Sequence, residues 1–274
     1  MEETHMKVGV IGYGSMGKML LHKFHETGRF SKDDLLAANR TSEKLKECEA
    51  FAGLCDNKTL ASSSDIVFVC VRPVDMRAVL EEIKDCLRQE TLLISLNGSI
   101  TFEMLGKVVP HKTAKVIPSL TAEIGRFQTI VCYNDKVSEE DKKNVSELLG
   151  SIGKVIELPE DEVGMGSELV SCMPGFIASI FDVICSKAKE HTSIPEEDIV
   201  EMVLNTMSAT GDLMLRNDMT FEQVVERVAT KGGITEEGTK VIYEMFPEAA
   251  GEMFGKTLEK RRITARKAAD AFSS

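Results

Sequence analysis

No run of about 18 uninterrupted apolar residues occurs in this 274-residue chain, so no membrane-spanning helix is expected. The N-terminus, "MEETHMK", is acidic and polar and has no apolar stretch of the kind a signal peptide needs. Cysteine pairing is missing too. Cys48, Cys55, Cys70, Cys86, Cys132, Cys172 and Cys185 are odd in number, and no two form C-x-x-C. That excludes a disulfide framework and a zinc knuckle as organising features. The cysteines sit mostly in apolar runs, which is the pattern of small buried hydrophobes in a reducing, cytoplasmic setting. Positive charge is in deficit, with a net charge of -11, and such a chain repels a phosphate backbone. Neither nucleic acid nor membrane is an expected partner. The basic run "KRRITARK" is a local exception, expected as the solvated face of a last helix. None of the five histidines stands in a catalytic motif. His22 and His25 lie three apart on one predicted helix, but no carboxylate or cysteine completes a site around them, so no metal is expected.

The length exceeds one ordinary domain and fits two. Residues 1–160 alternate short apolar runs with amphipathic stretches. "KVGVI", "LLAANR", "DIVFVCV", "TLLISL", "AKVIPS", "RFQTIVCYN" and "GKVIEL" read as strands. Between them lie predicted helices, including "SEKLKECEAF" with Ser42 as a cap and "SEEDKKNVSELLGSIG" with Ser138 as a cap. Alternation of this kind gives an α/β fold with a doubly wound, mostly parallel sheet and right-handed crossovers. Residues 161–274 are nearly all helical, with Thr220 capping "FEQVVERVAT", and "TEEGTKVIYEM" and "AAGEMFGKTLEKRRITARKAADAF" as further helices.

"VGVIGYGSMGKML" places Gly12, Gly14 and Gly17 as G-x-G-x-x-G between a strand and a helix. This is the dinucleotide fingerprint in its required setting. The first glycine makes the turn, the second lets the backbone approach a pyrophosphate, and the third packs helix on strand. Ser15 and Met16 complete the cradle, whose helix N-terminus favours anions. The second strand ends "AANRTSEK", with no carboxylate before Glu43 to accept from a ribose 2′-OH. Asn39, Arg40 and Thr41 stand there instead, and a guanidinium suits a 2′-phosphate. The expected cofactor is therefore NADP(H). Arg72 and Pro73 of "CVRP" and Asn97 after "LISL" fall at carboxyl ends of strands, where open α/β sheets bind ligands.

In the helical half, "SCMPGF" puts Pro174 and Gly175 inside an apolar run, which calls for a kink or a helix start. In "ATKGGITEEGTK", Gly232 and Gly233 precede a predicted helix that Thr235 can cap at Glu236, with Lys231 beside them. Such a turn fits an anion, and a plain capped turn is the other reading of the same residues.

Taken in order, "VGVIGYGSMG", "AANR", "FVCVRP", "LISL", "KVIPS", "SCMPGF" and "VATKGGITEEG" resemble the pyrroline-5-carboxylate reductase family over residues 6–246. The resemblance implies a Rossmann domain followed by an all-α dimerisation domain, with a homodimer or larger homo-oligomer. It implies NADPH-dependent reduction of a cyclic imine carboxylate, 1-pyrroline-5-carboxylate, to proline. Hydride chemistry of this kind asks the protein mainly for orientation and electrostatics. On the same resemblance, Lys231, Gly232 and Gly233 bind the substrate carboxylate and Thr235 hydrogen-bonds the ring nitrogen, with Ser119 a further catalytic candidate.

Departures from the usual motifs cluster on the substrate side. M-P-N-T-P-A is here "IPSLTA", with Ser119 for Asn and Thr121 for the second Pro. S-G-S-G-P-A is "VSCMPG", and Lys231 replaces the Pro of the glycine motif. These look like a divergent branch of late-competence-associated reductase-like proteins. Two alternatives follow: a non-catalytic NADP(H)-binding sensor, or a reductase of another small imine or keto acid. The 3-hydroxyacid dehydrogenase outline needs a lysine on the first long helix after the sheet, and none precedes Lys187 there.

Overall fold

The computed structural model describes residues 6–273. Eight strands form one sheet: β1 (Val8–Ile11), β2 (Leu35–Ala38), β3 (Gly53–Leu54), β4 (Ile66–Val69), β5 (Leu92–Ser95), β6 (Thr113–Pro118), β7 (Phe127–Tyr133) and β8 (Gly153–Glu157). Their spatial order is β3-β2-β1-β4-β5-β6-β7-β8. Strands β1 to β6 run parallel, and β7 turns antiparallel to β6. The winding direction reverses between β1 and β4, which creates the switch-point crevice of doubly wound sheets.

Alternate residues of the central strands feed opposite faces. Ile66, Phe68, Leu92 and Ile94 join one core with Leu20, Phe24 and Leu149. Val67, Val69 and Leu93 join the other, with Met76, Leu80 and Ile83. A strand buried on both faces must be apolar throughout, which is why "IVFV" shows no polar alternation.

The helices of the sheet region are α1 (Ser15–Glu26), α2 (Asn57–Ser63), α3 (Pro73–Ile83), α4 (Phe102–Val108) and α5 (Glu139–Gly150). Ser138 caps α5 in a reciprocal box with Asp141, as expected. Ser42 does not cap its segment: residues Ser42–Glu47 form a 3-10 turn whose N-cap is Thr41, without a side-chain cap bond. The short elements β3 and α2 carried too little periodicity to be read from sequence. The signal for α2 was Asp56, whose carboxylate accepts the Thr59 N–H at 2.7 Å.

Beyond β8 come α6 (Val163–Ser167), a π-helical turn (Glu168–Cys172), α7 (Met173–Lys189), α8 (Glu196–Asn217), α9 (Phe221–Val228) and α10 (Ile234–Ser273). Thr220 caps α9 in a box with Gln223. Pro174 falls just after the π-helical turn, inside one helical run over residues 160–189, so the irregular turn stands where a proline removes an N–H from the helix interior. The two helices expected on either side of Pro247 are one, since α10 runs through that proline for 40 residues. The helical run over residues 160–189 is long and apolar enough to cross a membrane by length and composition alone.

By packing, the chain forms two compact units. One compact unit takes the chain as far as Pro174 and takes it up again from Leu258, and Gly175–Thr257 forms the other. The return has clear contacts. Ala268 and Phe272 are buried in the second core. The Ala271 carbonyl accepts from Arg77 Nη1 at 2.7 Å. Arg261 is therefore not on a solvated face, as the basic run suggested. Its Nε and Nη2 donate to one oxygen of the buried Glu168 carboxylate at 3.1 and 2.8 Å. In the second unit, Leu215 is 77%, Met245 68% and Val241 58% exposed, so its apolar faces are not covered within one chain.

Candidate functional site

The parallel strands bring the first-half candidates to one edge. Gly12 follows β1, Asn39–Thr41 follow β2, Arg72 and Pro73 follow β4, Asn97 follows β5 and Ser119 follows β6. The glycine turn has the geometry of a cradle. Gly12 sits at φ +97°, and a Cβ there would stand 2.8 Å from the Cys70 carbonyl oxygen. A Cβ on Gly17 would lie 2.0 Å from the Gly12 carbonyl oxygen. Gly14, by contrast, faces open space, with nothing within 4 Å of such a Cβ. The first turn of α1 has no side-chain cap and no acidic residue, and Ser15 is exposed while Met16 is partly buried. Its N–H groups and dipole remain available to an anion, so these residues fit a dinucleotide pyrophosphate.

Two asparagines at the edge are hydrogen-bonded within the chain. Asn39 Oδ1 accepts the Tyr13 N–H at 2.9 Å, and its Nδ2 donates to the Thr41 carbonyl at 2.9 Å. Its Oδ1 thus ties the β1 turn to the β2 turn, while its Nδ2 makes a local bond within the β2 turn. Asn97 Nδ2 donates to the Val71 carbonyl at 2.9 Å, joining the β4 and β5 loops in the same way. Arg40 and Thr41 are exposed. Arg40 lies 3.9 Å from Asp75 Oδ1, and Arg72 Nε donates to Asp75 Oδ2 at 2.9 Å. Pro73 is the first residue of α3.

Beneath the cradle, the Tyr13 hydroxyl meets His22 Nε2 at 2.8 Å. Burial pushes the Tyr13 phenol up and holds His22 below its usual range, with Lys18 adding to the latter. His25 stacks on Phe51. Both histidines are structural, and no cluster able to hold a metal exists among the described residues.

Ser119 is 3% exposed and accepts from the Thr121 hydroxyl at 3.0 Å and from the Thr121 N–H at 3.4 Å. Its oxygen caps the 3-10 turn Leu120–Ile124. In the second unit, Gly232 has φ +75° and donates its N–H to Glu236 Oε2 at 2.6 Å. Gly233 donates to the Thr230 carbonyl at 2.8 Å. The expected anion turn therefore has both glycine amides satisfied by the chain itself, with Glu236 in the role of the anion. Thr235 does not cap α10: the helix begins one residue earlier, and Thr235 lies exposed in its first turn beside exposed Lys231.

Three side chains paired across the structure were not singled out from sequence: Asp75, Glu168 and Arg261. Asp75 had a signal, its i,i+3 spacing from Arg72. Glu168 stood out only as an acid in an apolar run, and Arg261 was hidden among other basic residues.

A family model described as NADP oxidoreductase, coenzyme F420-dependent, matches residues 7–98. A second, pyrroline-5-carboxylate reductase dimerisation, matches residues 160–263. The chain is 28% identical over 261 residues to pyrroline-5-carboxylate reductase 3 of Bacillus subtilis (strain 168), covering 94% of this chain and 96% of that one. It is 29% identical over 241 residues to ComE operon protein 4 of the same organism, covering 86% and 88%. Among solved structures, the Plasmodium falciparum pyrroline carboxylate reductase with NADP bound superposes with a TM-score of 0.84 at 23% identity, over 97% of this chain and 99% of that one. Cradle, sheet and matches together define a nicotinamide-nucleotide-dependent oxidoreductase with a helical dimerisation segment, which supports a homo-oligomer. These matches support a divergent member of the pyrroline-5-carboxylate reductase family.

Proposed function

We propose that this protein is an NADPH-dependent reductase of a cyclic imine carboxylate, with 1-pyrroline-5-carboxylate as substrate and proline as product. One observation carries the reading. A dinucleotide cradle with its strand–turn–helix geometry intact shares a chain with the dimerisation segment that bears Lys231, Gly232, Gly233 and Thr235. The preference for NADPH rests on Arg40, exposed at the end of β2, and on the lack of a carboxylate in the β2 turn itself.

Bound nicotinamide supplies the hydride, and the chain's residues supply position and polarity. Gly12, Gly14 and the first turn of α1 hold the pyrophosphate. Arg40 and Thr41 hold the 2′-phosphate. The Thr235 hydroxyl donates to or accepts from the ring nitrogen, and the Lys231 ammonium attracts the substrate carboxylate. Glu236 competes with that carboxylate for the Gly232 N–H and is displaced when substrate binds. A second chain covers the exposed apolar faces of α8 and α10, forming a homodimer. With all seven cysteines free, the protein suits a reducing cytoplasm.

The test is loss of NADPH absorbance on addition of pyrroline-5-carboxylate, with NADH in parallel. Turnover should favour NADPH, and Thr235→Ala should lower kcat/KM by about tenfold to a hundredfold, the cost of one polar contact made in the transition state. A wild-type protein that binds NADPH but never oxidises it would sink the proline-forming reading. The favoured reading would then be a cofactor-binding, non-catalytic protein.

A further inference from the structure

Asp75 occupies an unusual position at the carboxyl edge. It lies in the first turn of α3, and its two carboxylate oxygens face two arginines from different loops. Oδ2 accepts from Arg72 Nε at 2.9 Å, and Oδ1 stands 3.9 Å from Arg40 Nη1. Arg72 follows β4 and Arg40 follows β2, and those strands flank β1, which carries the glycine turn. Both arginine side chains are otherwise open, at 71% and 85% exposure.

A helix-start aspartate paired with the residue three before it is an ordinary local device. Its reach to Arg40 is not local, because residue 40 belongs to another crossover. Arg40 is also the group whose charge would select a 2′-phosphate. A phosphate arriving there meets a guanidinium that already has a carboxylate counter-ion, and it meets that carboxylate's own negative charge. A ribose 2′-OH meets neither penalty.

We propose that Asp75 is a specificity-determining residue for the cofactor: its carboxylate restrains Arg40 and Arg72 and narrows the preference for NADPH over NADH. The inference rests on the dinucleotide reading given above. Removing one unit charge several ångströms from a phosphate, at a solvent-screened surface, corresponds to roughly fivefold in affinity.

Calorimetric titration of the full-length protein with NADPH and with NADH, free of substrate, tests this. Asp75→Asn should tighten NADPH binding roughly fivefold and leave NADH within about twofold. The gain should shrink as salt is raised, because screening weakens exposed charges. Asp75→Glu keeps the charge and should keep the wild-type ratio. Unchanged or weaker NADPH binding in Asp75→Asn, or equal tightening of both cofactors, overturns the inference while wild-type binding leaves the reductase reading standing. A wild-type protein that binds neither cofactor overturns both.

Discussion

Gly14→Ala and Gly17→Ala should both abolish tight NADPH binding, by opposite routes that a melting curve separates. At Gly14 the added methyl meets no protein atom within 4 Å, so the fold should be nearly untouched. The methyl stands instead where the backbone must be bare for a pyrophosphate to approach. At Gly17 the methyl would sit 2.0 Å from the Gly12 carbonyl oxygen and 3.1 Å from Cys70 Cβ. Both of those belong to packed backbone or to a neighbouring loop, so α1 must move away from β1. Binding loses hydrogen bonds to a charged group in either case, each of about 1.5–3 kcal/mol, so Kd should rise about a hundredfold. Only Gly17→Ala should also lower Tm, since only it disturbs a packed helix. Equal melting curves for the two variants would contradict the geometry of the turn.

Arg261→Met should produce the largest loss of stability. Arg261 reaches Glu168, 1% exposed, through two N–H groups, and also donates to Ser167 Oγ at 3.1 Å. Among the described residues, the second carboxylate oxygen of Glu168 is buried with no hydrogen-bond partner, and the Arg261 guanidinium is the cation paired with it. Removing one partner of such a pair leaves an uncompensated buried charge and costs about 3–5 kcal/mol. For a chain of this size that lowers Tm by about 10 °C. The double variant Glu168→Leu with Arg261→Met should recover much of the loss, because the desolvation cost leaves with the charge. Thermal melts of the two single variants and the double variant check this. Additive losses would mean that the pair is not coupled. The pair also explains an acid inside the apolar run of residues 160–189: Glu168 is neutralised within its own compact unit by a residue 93 positions on.

The alternation of apolar runs with amphipathic stretches was sufficient for the parallel sheet, since a strand buried on both faces has to be apolar throughout. The glycine spacing was sufficient for the cradle, because only glycine tolerates φ +97° at residue 12 and a carbonyl 2.0 Å from a would-be Cβ at residue 17. Capping at Ser138 and Thr220 was equally legible, because the two partners in each box lie three residues apart. Wherever the causes are local, spacing along the chain carries them.

The tertiary structure alone decided matters that join distant residues. Asn39 and Asn97, expected from sequence as cofactor contacts, each also tie one loop to its neighbour. Glu236 takes the amide that the glycine pair offered to a substrate, a choice set by where α10 starts. Arg261 looked like one solvated charge among several until the chain's return placed it on Glu168. Asp75 gained its meaning only when β2 and β4 came to lie on either side of β1. Hydrogen bonds and charges act over a few ångströms of space, whatever the separation in sequence, so the partners of a polar side chain are known only once the chain is folded.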